Sequence, residues 1–291
     1  MTFTLRSSHC FVITLNAELV MISARTQPEA RLRRILFLSA VTSALLLAGA
    51  QAQATELHVG EKLPRANLLK PGIHRYARYT VSPDGHRKAI DIWTRQITFE
   101  VKEGKRLLHI HQQWDEVSPP AVLLQDSWFE PDTLRPLTHM KVLTRDGTTT
   151  IGGYRFLPDK IVGMDNLPGN SRKDFLQLSA EPAYNWETDM EFLQALSLAD
   201  GYEASINFYD PPQDPPARYI YKVEGSGKIA EPDGGDIDCW IVSIDFKREK
   251  ASSRFWFAKK TQVLMREETS MPDGSTLVKT LLNPESGDAK P

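Results

Sequence analysis

Cysteine is nearly absent: the 291 residues hold two, Cys10 and Cys239. Cys10 lies in a segment read below as removed, which leaves Cys239 alone and excludes an internal disulfide from the working chain. Long hydrophobic runs are equally scarce. The most apolar stretch, from Ile35 to Ala48, is shorter than the roughly 20 residues a membrane-spanning helix needs. An excess of positive charge is missing too. Past residue 52 there are 30 Lys and Arg against 35 Asp and Glu, a net charge of −5. That balance withholds the basic footprint on which nucleic acids and anionic membrane surfaces are held, so neither is expected as a partner.

Catalytic signatures are the last absence. There is no Gly-x-Ser-x-Gly elbow and no His-Glu-x-x-His helix. Gly225-Ser226-Gly227-Lys228 lacks the spacing and the following helix of a phosphate loop and reads as a turn. Cys239 sits in the apolar strand Cys239-Trp240-Ile241-Val242 and reads as a buried thiol. No cofactor is implied.

What is present begins with an export signal. Arg31, Arg33 and Arg34 lead into the apolar run from Ile35 to Ala48, and small residues follow at Ala50, Ala52 and Ala54. A basic stretch, a short apolar core and a small-x-small ending define a secretory signal peptide, with cleavage expected after Ala52 or Ala54. No cysteine follows for lipid attachment. Met21 stands a normal distance ahead of the apolar core and is the expected start of translation. The reading is therefore a signal peptide over 1–52, an N-terminal extension over 53–71, a β-rich domain over 72–282 and a disordered tail over 283–291. The expected location is the periplasm.

Within the domain, short runs rich in Ile, Val, Tyr, Phe, Trp and Thr alternate with polar residues and are separated by turn signals. They predict strands at 72–81, 89–101, 106–114, 122–129, 135–144, 148–157 and 160–164. Six more follow at 202–209, 218–224, 239–246, 253–258, 262–269 and 275–282. Asp84-Gly85, Asp146-Gly147, Gly234-Gly235 and Asp273-Gly274 supply the positive φ of tight hairpins, so consecutive strands are expected to be antiparallel neighbours. Trp186, Met190, Leu193 and Leu196 recur at helical spacing and predict one amphipathic helix over 183–198. Asp210-Pro211-Pro212-Gln213-Asp214-Pro215-Pro216 cannot be a central strand and reads as a stiff loop.

Two constellations bear on chemistry. His109 and His111 would share one face of a strand, where a metal with His139 or Asp115 as third ligand is one reading and a solvated histidine pair the other. No further Cys or His completes a set, so no metal is assigned. All six tryptophans lie beyond residue 52, mainly on strands. Trp93, Trp114, Trp128 and Trp256 are the candidate lining of an apolar ligand cavity with the helix as its lid, and core packing is the alternative.

At Asp126-Ser127-Trp128-Phe129-Glu130-Pro131-Asp132-Thr133-Leu134-Arg135-Pro136, and again at Asp238-Cys239-Trp240-Ile241-Val242 and across Phe255-Trp256-Phe257-Ala258-Lys259-Lys260-Thr261-Gln262-Val263-Leu264-Met265-Arg266-Glu267, the chain resembles a family of exported bacterial proteins catalogued as a domain of unknown function. That family is more distantly similar to periplasmic lipoprotein carriers and receptors. The resemblance spans roughly 72–282 and implies a curved antiparallel sheet or half-barrel with an apolar concave face. It carries no catalytic residue across. The expectation is a mostly β, non-enzymatic envelope protein that binds lipid or another hydrophobic moiety. The alternative is a docking module for another envelope protein, through its convex sheet or the proline-rich loop. A metal-dependent hydrolase using His109 and His111 comes third.

Overall fold

The computed structural model describes residues 54–231, 234–246 and 251–282. The signal segment with its Met21 start, and the tail over 283–291, lie outside the described residues. The first half contributes β1 (Thr55–Leu57), β2 (Gly72–Val81), β3 (Arg87–Lys102), β4 (Lys105–Val117), β5 (Pro120–Phe129) and β6 (Pro136–Arg145). It continues through β7 (Thr148–Phe156), β8 (Lys160–Gly163), β9 (Leu176–Leu178) and β10 (Tyr184–Asn185). A single 3-10 turn at Trp186–Thr188 then leads into α1 (Asp189–Gln194). The rest is β11 (Glu203–Tyr209), β12 (Ala217–Ala230), β13 (Asp236–Phe246), β14 (Ala251–Ala258), β15 (Leu264–Ser270) and β16 (Thr276–Leu281).

All sixteen strands belong to one curved, mostly antiparallel sheet, as the alternation predicts. Its two halves, β2–β9 and β11–β16, are joined where β16 pairs with β2 over Thr276↔Val81 to Leu281↔Tyr76. The sheet is not closed, since no pairing joins β9 to β1 among the described residues. Tight turns set the register. At β6–β7, Asp146 and Gly147 have φ of 50° and 72°, the left-handed pair that a two-residue hairpin of matching twist requires. Glu103 and Gly104 do the same between β3 and β4, with no Asp-Gly or Asn-Gly to announce it.

Two segments depart from the sequence reading and a third gains detail. Gly225-Ser226-Gly227-Lys228 is not a turn but the middle of β12, where a bulge between Val223 and Gly225 at φ 144° absorbs the extra residue. The segment over 54–71, read as an N-terminal extension, is tied into the sheet and core. Its β1 pairs with β11, and Leu63 and Leu69 are buried in the core. The helix is present but shorter than 183–198, because Tyr184 and Asn185 pair with Phe208 and Tyr209 as β10. Nor is it one-sided: all five residues from Met190 to Gln194 are buried, so α1 fills the concave face instead of lying across it.

Gln262 terminates that helix from across the molecule. Its Nε2 donates to the carbonyls of Gln194 at 2.9 Å and Leu196 at 2.8 Å, satisfying helix-end acceptors that would otherwise be orphaned. The principal core is built where the helix meets the sheet, from Phe192, Leu193 and Leu196 against Tyr76, Ile97, Phe208 and Phe257.

Close packing of the connection after β8 gives a direct check. A Cβ at Gly163 would lie 1.8 Å from the Arg172 carbonyl oxygen, whereas one at Gly152 would meet nothing closer than 3.4 Å. Gly163→Ala is expected to lower unfolding stability by about 2 kcal/mol or more, with Gly152→Ala close to neutral. Denaturant unfolding of the two variants measures the difference.

Candidate ligand-binding site

Register places an unusual row on the concave face. Arg95 on β3 faces Gln112 on β4, Gln112 faces Gln125 on β5, and Gln125 faces Lys141 on β6. Alternation sends these four side chains inward among apolar neighbours such as Trp93, Ile97 and Ile110. Buried polar groups need partners, and the segment leading into α1 supplies them. Glu191 takes Arg95 Nε at 2.9 Å and also Arg95 Nη2. The Glu187 carboxylate accepts from Lys141 Nζ at 2.9 Å and from Gln125 at 3.3 Å, while its carbonyl accepts from Arg95 and Gln112. Lys141 also reaches Asp210 at 2.6 Å, which fixes the start of the proline-rich loop and leaves 213–215 as its exposed tip.

Charge states follow from these contacts. Burial alone would raise Glu187, but the Lys141 ammonium overrides it and holds the carboxyl at about 2. Burial together with Glu187 raises Asp210 to about 6. Burial also raises Asp189 to about 7. His139, fully buried, is pushed down to about 3 by burial and by Lys141, and stays neutral. Its Nδ1 lies 2.8 Å from Ser127 Oγ, a serine–histidine contact that looks nucleophilic on paper. Both residues have no exposed surface, and a histidine held that low is a poor general base at neutral pH.

The other sequence candidates are dispersed. Trp93 and Trp114 meet on the concave face at 5.3 Å, but cations fill the space around them, with Arg78 over Trp114 at 3.9 Å and Lys279 over Trp93 at 4.2 Å. Trp128 stands on the opposite face, stacked at 4.0 Å on His109 beneath Lys102. Trp256 packs beside Cys239, Ala258 and Met265 in a separate small cluster. The four do not converge on one cavity, because residues of opposite strand parity face opposite sides of a sheet. Cys239 is buried, its thiol pushed up to about 11 by burial.

His109 and His111 do share a face, and both bond the same Asp126 oxygen, at 2.8 and 2.9 Å. Those hydrogen bonds outweigh burial and hold the Asp126 carboxyl below its usual range. His139 is on the other side of the sheet and Asp115 is occupied by Gln113. Among the described residues no group of three or more His, Cys, Asp or Glu is placed to hold a metal ion.

Open space with ligand dimensions occurs instead at one end of the sheet. A cleft of about 610 Å³, within the usual range for ligand sites, lies between the leading segment over 62–71, the ends of β3 and β4, and the β5–β6 turn. Leu63, Leu69 and Phe99 line it together with Lys62, Lys70 and Arg106. A second cleft of about 560 Å³ shares Arg106, Pro131 and Asp132 with it and adds Lys105 and Arg135. The walls are well anchored. Leu63 N–H donates to the Asp132 carbonyl at 2.9 Å, and Arg65 N–H donates to the Ala195 carbonyl just past α1 at 2.9 Å. Within the turn, Glu130 and Arg135 form an ion pair and Leu134 is buried at φ 51°. Sequence reading passed over this cleft because its floor comes from a segment without strand or helix periodicity. Leu63 and Leu69, apolar residues among Lys62, Pro64, Lys70 and Pro71, are the one visible sign.

Fold and site together define an open, curved antiparallel β protein with a filled interior and a cleft at its end. The chain belongs to the family described as Protein of unknown function (DUF3108), whose model matches residues 78–282. That stretch holds the Phe99, Arg106 and Pro131 side of the cleft, and the 62–71 wall lies ahead of it. No curated protein matches. Among solved structures, a beta-barrel-like protein of the domain of unknown function DUF1849 from Brucella abortus is similar over 72% of this chain and 96% of that one, with 12% identity and a TM-score of 0.46.

Neutral, buried His139 makes stability depend on pH. Its folded pKa is depressed, so its contribution is present above the unfolded value near 6.5 and is lost as pH falls toward 3. Between pH 6 and 4 the stability of His139→Gln should fall less steeply than that of the parent, by about 1.4 kcal/mol per pH unit. Urea unfolding at stepped pH measures both slopes.

Proposed function

We propose that this chain is an exported, non-enzymatic binding protein of the bacterial envelope whose ligand is a lipid or another hydrophobic moiety. The observation that carries the reading is the cleft floored by Leu63, Leu69 and Phe99, an apolar recess of ligand size on a sheet whose interior is already occupied. Export is supported by the basic, apolar and small-residue order over 31–54. Either cleavage position leaves β1 intact. No helix among the described residues is long and apolar enough to cross a membrane. A non-catalytic role is supported by the burial of Ser127, His139 and Cys239. Ligand entry at the end of the sheet leaves the helix and its ion pairs undisturbed.

A docking module is the second reading, favoured by one feature. Edge strand β9 presents Leu176 and Leu178, 59% and 68% exposed, beside a backbone edge that no strand pairs among the described residues, of the kind that accepts a partner's strand.

Protein purified from cells expressing the full chain should appear in the periplasmic fraction with an N-terminus at Gln53 or Thr55. It should carry about one extractable apolar molecule per chain and bind a dansyl-labelled fatty acid. Phe99→Ala should weaken that binding about tenfold, the loss of one good apolar contact. Absence of both extractable lipid and probe binding would sink the reading, and partners lost on Leu176→Lys/Leu178→Lys would favour docking.

A further inference from the structure

The cleft has a charge pattern as well as an apolar floor. Lys62, Lys70 and Arg106 stand around Leu63, Leu69 and Phe99, and the adjoining recess adds Lys105 and Arg135. Acidic counterparts are few. Glu130 is taken by Arg135, and each charge reinforces the other, so the Glu130 carboxyl is held below its usual range and the Arg135 guanidinium above its own. Asp132 is the remaining acid lining the space, one carboxylate against Lys62, Lys70, Lys105 and Arg106. Lys62, Lys70 and Arg106 form no ion pair among the described residues. Arg106 instead lies over the Phe99 ring at 4.1 Å, which holds a guanidinium directly above the apolar floor.

This local excess of cations runs against a chain whose overall charge is −2. Several cations elsewhere on the sheet are neutralised in place: Arg78 by Asp91, Arg145 by Glu116, Arg218 by Glu181 and Lys279 by Glu267. Unpaired cations rimming an apolar recess match a molecule that is anionic at one end and hydrocarbon at the other. Coulomb attraction holds the head, and burial on Leu63, Leu69 and Phe99 holds the chain.

We infer that the cleft binds an anionic amphiphile, a single hydrocarbon chain with a carboxylate or phosphate head set between Lys62, Lys70 and Arg106. The inference rests on the reading of the cleft as the site of a hydrophobic ligand and adds the charge of its head. The apolar floor selects against small free anions, and the cationic rim selects against neutral chains.

The test compares three probes on protein made from the full chain, below the micelle concentration: 11-dansyl-undecanoate, its neutral primary amide, and inorganic phosphate as competitor. The carboxylate should bind at least about tenfold more tightly than the amide, and its advantage should shrink as salt is raised. Lys62→Glu/Lys70→Glu and, separately, Arg106→Gln should erase most of that advantage and leave amide binding within about twofold, with unchanged thermal unfolding as the folding control. Equal binding of carboxylate and amide, or variants that do not alter their ratio, would overturn the anionic head and leave the hydrophobic reading standing. Binding of neither probe would overturn both. Displacement of the carboxylate by equimolar phosphate would show that the free anion alone is recognised and would also overturn the inference.

Discussion

Arg95 heads the largest fully buried side chains of the protein, and its guanidinium meets the Glu191 carboxylate through two nitrogens inside a shell of aromatic and aliphatic residues. A buried pair of this kind adds little net stability over an apolar replacement, yet separating its members leaves an uncompensated charge at a cost of about 3–5 kcal/mol. Much of the architecture is arranged around that penalty. It fixes α1 against β3, and the Gln112–Gln125–Lys141 row then receives Glu187 one turn earlier. With the helix held, Gln262 can close its carbonyl end, and Arg65 ties the leading segment to the same point through Gln262 and Ala195. The cleft wall over 62–71 is thus positioned through a chain of contacts that starts at the ion pair.

The helix consequently belongs to the core. Phe192, Leu193 and Leu196 have almost no exposed surface, and the charges that flank them are paired with the sheet. A lid that opened onto the concave face would have to expose these residues and break Arg95–Glu191 and Lys141–Glu187 together. For the ligand proposed above, these energetics favour access at the end of the sheet, where the leading segment and the β5–β6 turn enclose space without disturbing either pair.

Much of this fold was legible in the sequence. Period-two alternation and the Asp-Gly turns located thirteen of the strands, and β2 at Gly72–Val81 matched the expected bounds. Strands of two or three residues, β1, β9 and β10, carry too few residues for a period to register. The polar row was hidden for a different reason. Arg95, Gln112, Gln125 and Lys141 look like solvent-facing positions, and only the hairpin registers reveal that they align on the inner face. The tryptophans misled in the opposite sense, since bulk and hydrophobicity do not report which side of a strand a residue occupies. Trp93 and Trp114 turned inward, Trp128 outward. The cleft fell outside any periodic pattern, and its cations acquired meaning only once the segment over 62–71 was seen against Phe99 and Arg106.

If the proposed ligand binds at the end of the sheet, the helix stays seated on the concave face. Amide hydrogen exchange with and without a saturating anionic amphiphile addresses it most directly, because local opening and local protection are read segment by segment. Added protection is expected over 62–71 and 130–135, with exchange over 186–196 unchanged. Ligand-dependent change concentrated at 186–196, with the end of the sheet unaffected, would contradict it.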